Sequence, residues 1–372
     1  MTDKQLPDEI LSDVPNPLEA TKGAMPQAKP PAILRGWKKL GELEGALETE
    51  PKPRAWLLLQ QGGNGIVPLG KVGLFAAAGG VGKTMACLQL ALAVATGKKW
   101  LGAFSVAPEG VGRVLLALGE EDEDEVVRRV FYCARAMQLT DEEKRLACER
   151  IVVLPLAGTH VSLTAGIDEN EVETPAAKQL LGKLEADAGE DGWRLIVLDP
   201  LARFAGPDAE KDNAAATRFV ETVERFCAVK GRPTVLVVHH SAQHARVGDA
   251  SHADANADAS QMARGATGLT DGGRFVLTLQ NERTTIGMPQ LERLAILRAP
   301  KTNLSPPLDD EVMLRREGRN MGALIALDSA DKSRVLEDRK KRREPKNAAD
   351  KPKPKADKPK PNLSGYGPQG TT

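Results

Sequence analysis

The chemistry of this chain is concentrated in eight residues, Ala77 to Thr84, AAGGVGKT. Glycines at 79, 80 and 82 leave the backbone N–H groups bare. Such a loop can ring phosphate oxygens at the amino end of the following helix, where the helix adds partial positive charge. Lys83 has the reach for the β and γ phosphates and Thr84 offers a hydroxyl to Mg²⁺. The expected ligands are therefore ATP and Mg²⁺, bound by Ala78, Gly79, Gly80, Val81, Gly82, Lys83 and Thr84. The strict form of this phosphate loop has Gly where Ala77 stands, and a methyl group is tolerable there only if the residue keeps negative φ.

Two carboxylates and a histidine complete the expected chemistry. Residues 112–118, GRVLLAL, read as a buried strand that runs into the acidic stretch Glu120 to Glu125. Acidic residues suit the first turn of the next helix, around Val126 to Met137. A carboxylate at the carboxyl end of a strand beside the phosphate loop is also where a water-activating base belongs, which selects Glu120, with Glu121 second. RLIVLD, Arg194 to Asp199, ends a strand in an acid that can orient Mg²⁺ through its water shell, although LDP also suits a turn cap. A fourth strand, Thr234 to Val238, leads into His239 and His240. With His244 nearby, a metal set is conceivable, but no further ligand class accompanies it. His240 is better read as a neutral side chain that senses the γ phosphate.

These groups must be held by alternating strands and helices, which predicts an α/β fold. It has a mostly parallel central sheet covered by helices on both faces and the nucleotide at the carboxyl ends of the strands. Leu291 to Leu297 and Val312 to Leu327, the latter broken by EGRNMG, extend the sheet as an antiparallel edge.

Composition bounds the rest. The 372 residues carry 51 basic and 51 acidic side chains, but residues 331–361 hold thirteen of the basic ones against six acidic. EPKNAADKPKPKADKPKPN, Glu344 to Asn362, has almost nothing to bury and is expected to stay extended, as a solubility tail or a loose electrostatic tether for nucleic acid. The expected organisation is a mostly disordered segment 1–50 with a short helix over Gly36 to Leu47, an ATPase domain 51–328 and a disordered Lys/Pro-rich tail 329–372. Cys87, Cys133, Cys148 and Cys227 form no CxxC pair, which argues against a disulfide framework. No signal-peptide pattern opens the chain and no window offers about 18 uninterrupted apolar residues, so a cytoplasmic protein without a membrane span is expected.

AAGGVGKT at 77–84, VLLALGEED at 114–122, LIVLDPLARF at 195–204 and VLVVHHSAQ at 235–243, followed by SQMARGATGLTDGGRF at 260–275 and RAPKTN at 298–303, together resemble the RecA-like ATPases. Within them the likeness is to the ring-shaped hexameric replicative helicases of the plasmid RepA type, over roughly residues 52–328. The extra lysine of the partition and division-site ATPases is absent, since Ala78 takes its place. The resemblance implies that Glu120 is the catalytic base and Asp199 the Walker B aspartate, and that His240 couples the γ phosphate to DNA-facing loops. It also implies that Arg274 is an arginine finger reaching a neighbouring subunit, with Arg264 and Lys301 as weaker candidates. Lys83 acts on the transferred phosphate. The implied partners are further copies in a hexameric ring and single-stranded DNA.

Of the loops that would face the channel, Arg203 to Asn213 and Ala242 to Ala263, the second carries no aromatic for base stacking and sets Asp249, Asp254 and Asp258 against Arg246 alone. A nucleotide-switched binding or loading factor that does not unwind DNA therefore stands beside the helicase reading.

Overall fold

The computed structural model describes residues 37–343 apart from 44, 46, 160, 166–172, 207, 210, 241–266, 307 and 309. Two compact units divide at Pro53 and Arg54. In the first, the helix expected over Gly36 to Leu47 is reduced to one 3₁₀ turn, Leu40–Glu42, which buries none of its residues. Glycines at 41 and 45 interrupt that stretch, and helices this short depend on a buried face.

The second unit begins with a small antiparallel sheet, β1 (Trp56–Leu59), β2 (Gly65–Pro68) and β4 (Ser105–Val106), in the order β2-β1-β4. Among the described residues the main sheet has nine strands. Its parallel part is formed by β3 (Val72–Ala77), β5 (Arg113–Leu118), β6 (Ile151–Pro155), β7 (Trp193–Asp199), β8 (Thr234–His240) and β9 (Phe275–Arg283), in the order β9-β3-β8-β7-β5-β6. The runs VGLFAA, VLLAL, LIVL and VLVV within these strands are continuously apolar because both faces are covered, as a parallel sheet requires. One face packs on α1 (Lys83–Thr96), α2 (Glu123–Ala136) and α3 (Asp141–Arg150) through Cys87, Leu90, Val94, Cys133 and Ala147. The other packs on α4 (Pro175–Ala186), the single turn α5 (Leu201–Phe204) and α6 (Asn213–Phe226) through Leu184, Phe204, Phe219, Val223 and Phe226. This is the arrangement expected from the sequence, a mostly parallel sheet with helices on both faces.

Local signals set the element ends. The Asp122 side chain accepts from the Glu125 N–H at the start of α2, and Thr140 and Glu143 form a reciprocal capping box on α3. Gly97 ends α1 in the left-handed region. α1 is buried on nearly every side, and the amide of its buried Gln89 is satisfied at both ends. It donates to Leu324 O and accepts from Leu324 N, each at 2.9 Å.

After the helix α7 (Thr267–Gly272), β9 leads into the antiparallel strands β10 (Arg293–Thr302), β11 (Val312–Glu317) and β12 (Ala323–Ala326), the extension expected from residues 291–327. The expected boundary at 328 needs correction, because Ser329–Arg343 form a helix, α8, and are no part of a disordered tail. Val335 is fully buried against Leu291, Leu294, Ile296 and Met313. Arg339 sits between Glu282 and Glu311, and Glu311 also holds Arg298. Charges that look solvated in the sequence are here the latch that docks the helix on the sheet. Among the described residues, no helix is long and apolar enough to cross a membrane.

Candidate active site

β3 carries the chain to Ala77, which is paired with His240 on one side and Leu279 on the other. Ala77 stays in strand geometry, so its methyl group costs nothing. The turn is made beyond it, where Gly80 has φ +72° and Gly82 φ +108°, values that favour glycine. A Cβ built on Gly79 or Gly80 would meet no protein atom within 4 Å. The bare backbone therefore faces open space at the amino end of α1, which fits a polyphosphate.

Lys83 is buried, and its Nζ donates to Ala77 O at 2.7 Å and Ala78 O at 3.0 Å and lies 3.1 Å from His240 Nδ1. Burial lowers its pKa, against the opposing pull of Asp199, Cys87 and Glu120. Thr84 Oγ1 donates to Asp199 Oδ2 at 3.0 Å. Burial pushes the Asp199 carboxyl up to about 6, with the Thr84 hydrogen bond and Lys83 pulling the other way. A hydroxyl and a buried carboxylate, both oxygen donors, suit Mg²⁺.

The sheet order brings these groups together. β8 lies between β3 and β7, and β5 pairs with β7 so that Leu118 stands opposite Asp199. Gly119 N donates to Asp199 O at 2.7 Å, which sets Glu120 beside the aspartate. The Glu120 carboxylate is half exposed, and its Oε2 is 3.8 Å from His240 Nε2. Glu121 turns instead to Arg129, at 2.8 Å, and burial raises its pKa in spite of that arginine. Of the two candidate bases, Glu120 is the one whose carboxylate is left facing the phosphate loop.

Other expected residues are not gathered here. Arg274 N donates to Val72 O at 2.8 Å, at the start of β3, so Arg274 stands at the end of the sheet opposite the loop. Five strand steps, about 17 Å, separate the two ends of β3. Lys301 is in the same region, its Nζ donating to Thr270 O and Asp271 O. Of the expected channel loops, Arg203 belongs to α5, while Ala242 to Ala263, His244 and Arg264 lie outside the described residues.

One contact to the loop has no sequence signature. Arg316, from β11, donates through Nη2 to Val81 O at 2.9 Å, and burial, then Arg293, lowers its pKa. Nothing in an isolated RR pair announces a partner 235 residues away.

Residues 38–246, more than half of the chain, match the family model described as an AAA domain. Among solved structures, the chain is similar to a KaiC-like protein from the hyperthermophilic archaeon Pyrococcus horikoshii OT3, at 13% identity and a TM-score of 0.42 over 75% of this chain and 100% of that one.

Proposed function

This chain belongs to the AAA-domain family, and on that premise we propose that it hydrolyses ATP as a ring-forming ATPase of the RepA helicase type, acting on single-stranded DNA in replication. The observation that carries the reading is the convergence of Lys83, Thr84, Asp199, Glu120 and His240, from the carboxyl ends of three parallel strands and one helix, on the open face of the glycine loop. Ala78 to Thr84 would hold the phosphates. Thr84 and Asp199 would hold Mg²⁺, which supplies charge neutralisation to the polyphosphate when bound.

Each side chain has a definite task. Lys83 leaves the Ala77 and Ala78 carbonyls and brings its charge to the outer phosphates. Glu120 takes the proton of the attacking water on its exposed carboxylate. His240, within reach of both Lys83 and Glu120, registers whether they are engaged and passes that state to the segment that follows β8. Arg274 cannot serve its own loop from the far end of β3, and acts on a neighbouring copy in the ring. A cation supplied across an interface makes hydrolysis depend on assembly.

The second reading, a nucleotide-switched loading factor, is favoured by the acidic composition of residues 242–263. Steady-state phosphate release with and without single-stranded DNA at low salt, alongside a strand-displacement assay, separates the two. Hydrolysis stimulated by DNA with displacement supports the helicase reading. Slow hydrolysis indifferent to DNA, with no displacement, supports the switch.

A further inference from the structure

The amino ends of the parallel strands, opposite the glycine loop, form a cationic groove. One cavity of about 640 Å³ is lined by Arg54, Lys71, Arg194, Lys230 and Arg232, with Leu69 and Ala55 as apolar floor. A second of about 340 Å³ shares Lys71 and Arg232 with it, so these two side chains stand where the cavities join. The carboxylates of Glu109 and Asp191 in the first and Glu224 in the second leave the groove with a net positive charge.

Its frame is rigid. The Arg194 guanidinium is consumed by the carbonyls of Glu109, Asp191, Trp193 and Gly231. Lys230 Nζ donates to Gly189 O. Arg232 is held at φ +51°, in the left-handed region that a non-glycine residue rarely adopts, and its Nε lies 3.4 Å from where a Cβ on Gly70 would stand. Such conformations persist where the surroundings impose them. Among the described residues, no carboxylate forms an ion pair with Arg54, Lys71 or Arg232. Three cations on this rim, none of them in an ion pair among the described residues, are suited to an external polyanion.

We infer that this groove binds the phosphodiester backbone of single-stranded nucleic acid, with Lys71 and Arg232 as its central phosphate contacts. This rests on the DNA partner proposed above and assigns it a surface that the acidic segment 242–263 does not provide. The placement also relates binding to hydrolysis. Lys71 immediately precedes β3, which ends at Ala77, and Arg232 precedes β8, which ends at His240; the two strands are paired from Val72 and Val235 onward. The groove and the nucleotide site thus occupy the two ends of one strand pair.

The test is the salt dependence of binding of fluorescein-labelled oligo(dT) to the full chain, by anisotropy, for wild type and for Lys71→Gln/Arg232→Asn. Asparagine is chosen because it tolerates the left-handed backbone. Each lost phosphate contact lowers the slope of log K against log salt by about 0.7, so the pair should lower it by about 1.4. Basal ATP hydrolysis should be unchanged and reports folding. If that variant fails to fold, Arg54→Gln at the exposed rim replaces it, with a fall of about 0.7 expected. A wild type that binds while either folded variant keeps its slope overturns the groove alone. A wild type that hydrolyses ATP but does not bind oligo(dT) overturns both the groove and the DNA partner.

Discussion

Lys83 is held by two carbonyls and a histidine of its own chain, a contact set that a polyphosphate can replace without unfolding anything. Lys83→Ala should abolish phosphate release while leaving the thermal midpoint near that of wild type; undiminished turnover would remove the loop from the mechanism. The Asp199 carboxyl, at about 6 in the folded chain against 3.8 unperturbed, binds a proton more tightly folded than unfolded. Stability from this group therefore falls as pH rises from about 4 to about 6, and the ionised form costs on the order of 2–3 kcal/mol above that range. In the absence of Mg²⁺, Asp199→Asn should raise the melting temperature at neutral pH and flatten the pH dependence in that window, while removing hydrolysis. Melting curves from pH 4 to 8 check this, and a variant less stable than wild type would contradict it. Glu120→Gln should slow hydrolysis by about 10²–10⁴-fold, the range for a lost general base. Glu121→Gln, which only loosens the pair with Arg129, should stay within a few-fold; the reverse ranking would move the base to Glu121.

At the scale of elements, the latch on α8 is the most exposed to test. Glu282 and Glu311 are buried beside Arg339, so Arg339→Ala leaves two carboxylates short of their partner and should destabilise the fold by about 3–5 kcal/mol, read by urea denaturation. A change under about 1 kcal/mol would mean the helix is docked by Val335 alone. This latch was not legible in the sequence, because its charges are scattered from Glu282 to Arg342 and only the fold brings them together. The phosphate-loop strand, the strand that precedes Glu120, the strand ending at Asp199 and the strand leading to His240 were legible, since continuous apolar runs mark strands buried on both faces. The antiparallel edge was legible from two short apolar stretches divided by the turn residues EGRNMG. β9 was not read as a strand, although FVLTLQNER pairs with β3 along five residues; its polar second half blurs the apolar run. β6 and the small sheet of β1, β2 and β4 escaped too, being short or half exposed. The contacts of Arg316 with Val81 and of Gln89 with Leu324 join residues 235 apart, a distance that no local pattern encodes.

At the scale of the molecule, the positions of Glu120 and Arg274 at opposite ends of the sheet make one chain an incomplete enzyme in the proposed mechanism. Arg274→Ala should leave nucleotide binding intact, read with a fluorescent ATP analogue, and remove turnover; unaltered turnover would return Arg274 to an ordinary surface charge. Adding that variant in excess to wild type should lower the wild-type rate, because mixed rings place a deficient neighbour beside competent sites. The measurement that bears most directly on the account is steady-state ATP hydrolysis per protomer as a function of protein concentration. The account predicts a steep rise as copies assemble, and a further rise with single-stranded DNA at low salt. A rate per protomer that is constant across the concentration range would contradict it, and would make this a self-sufficient ATPase.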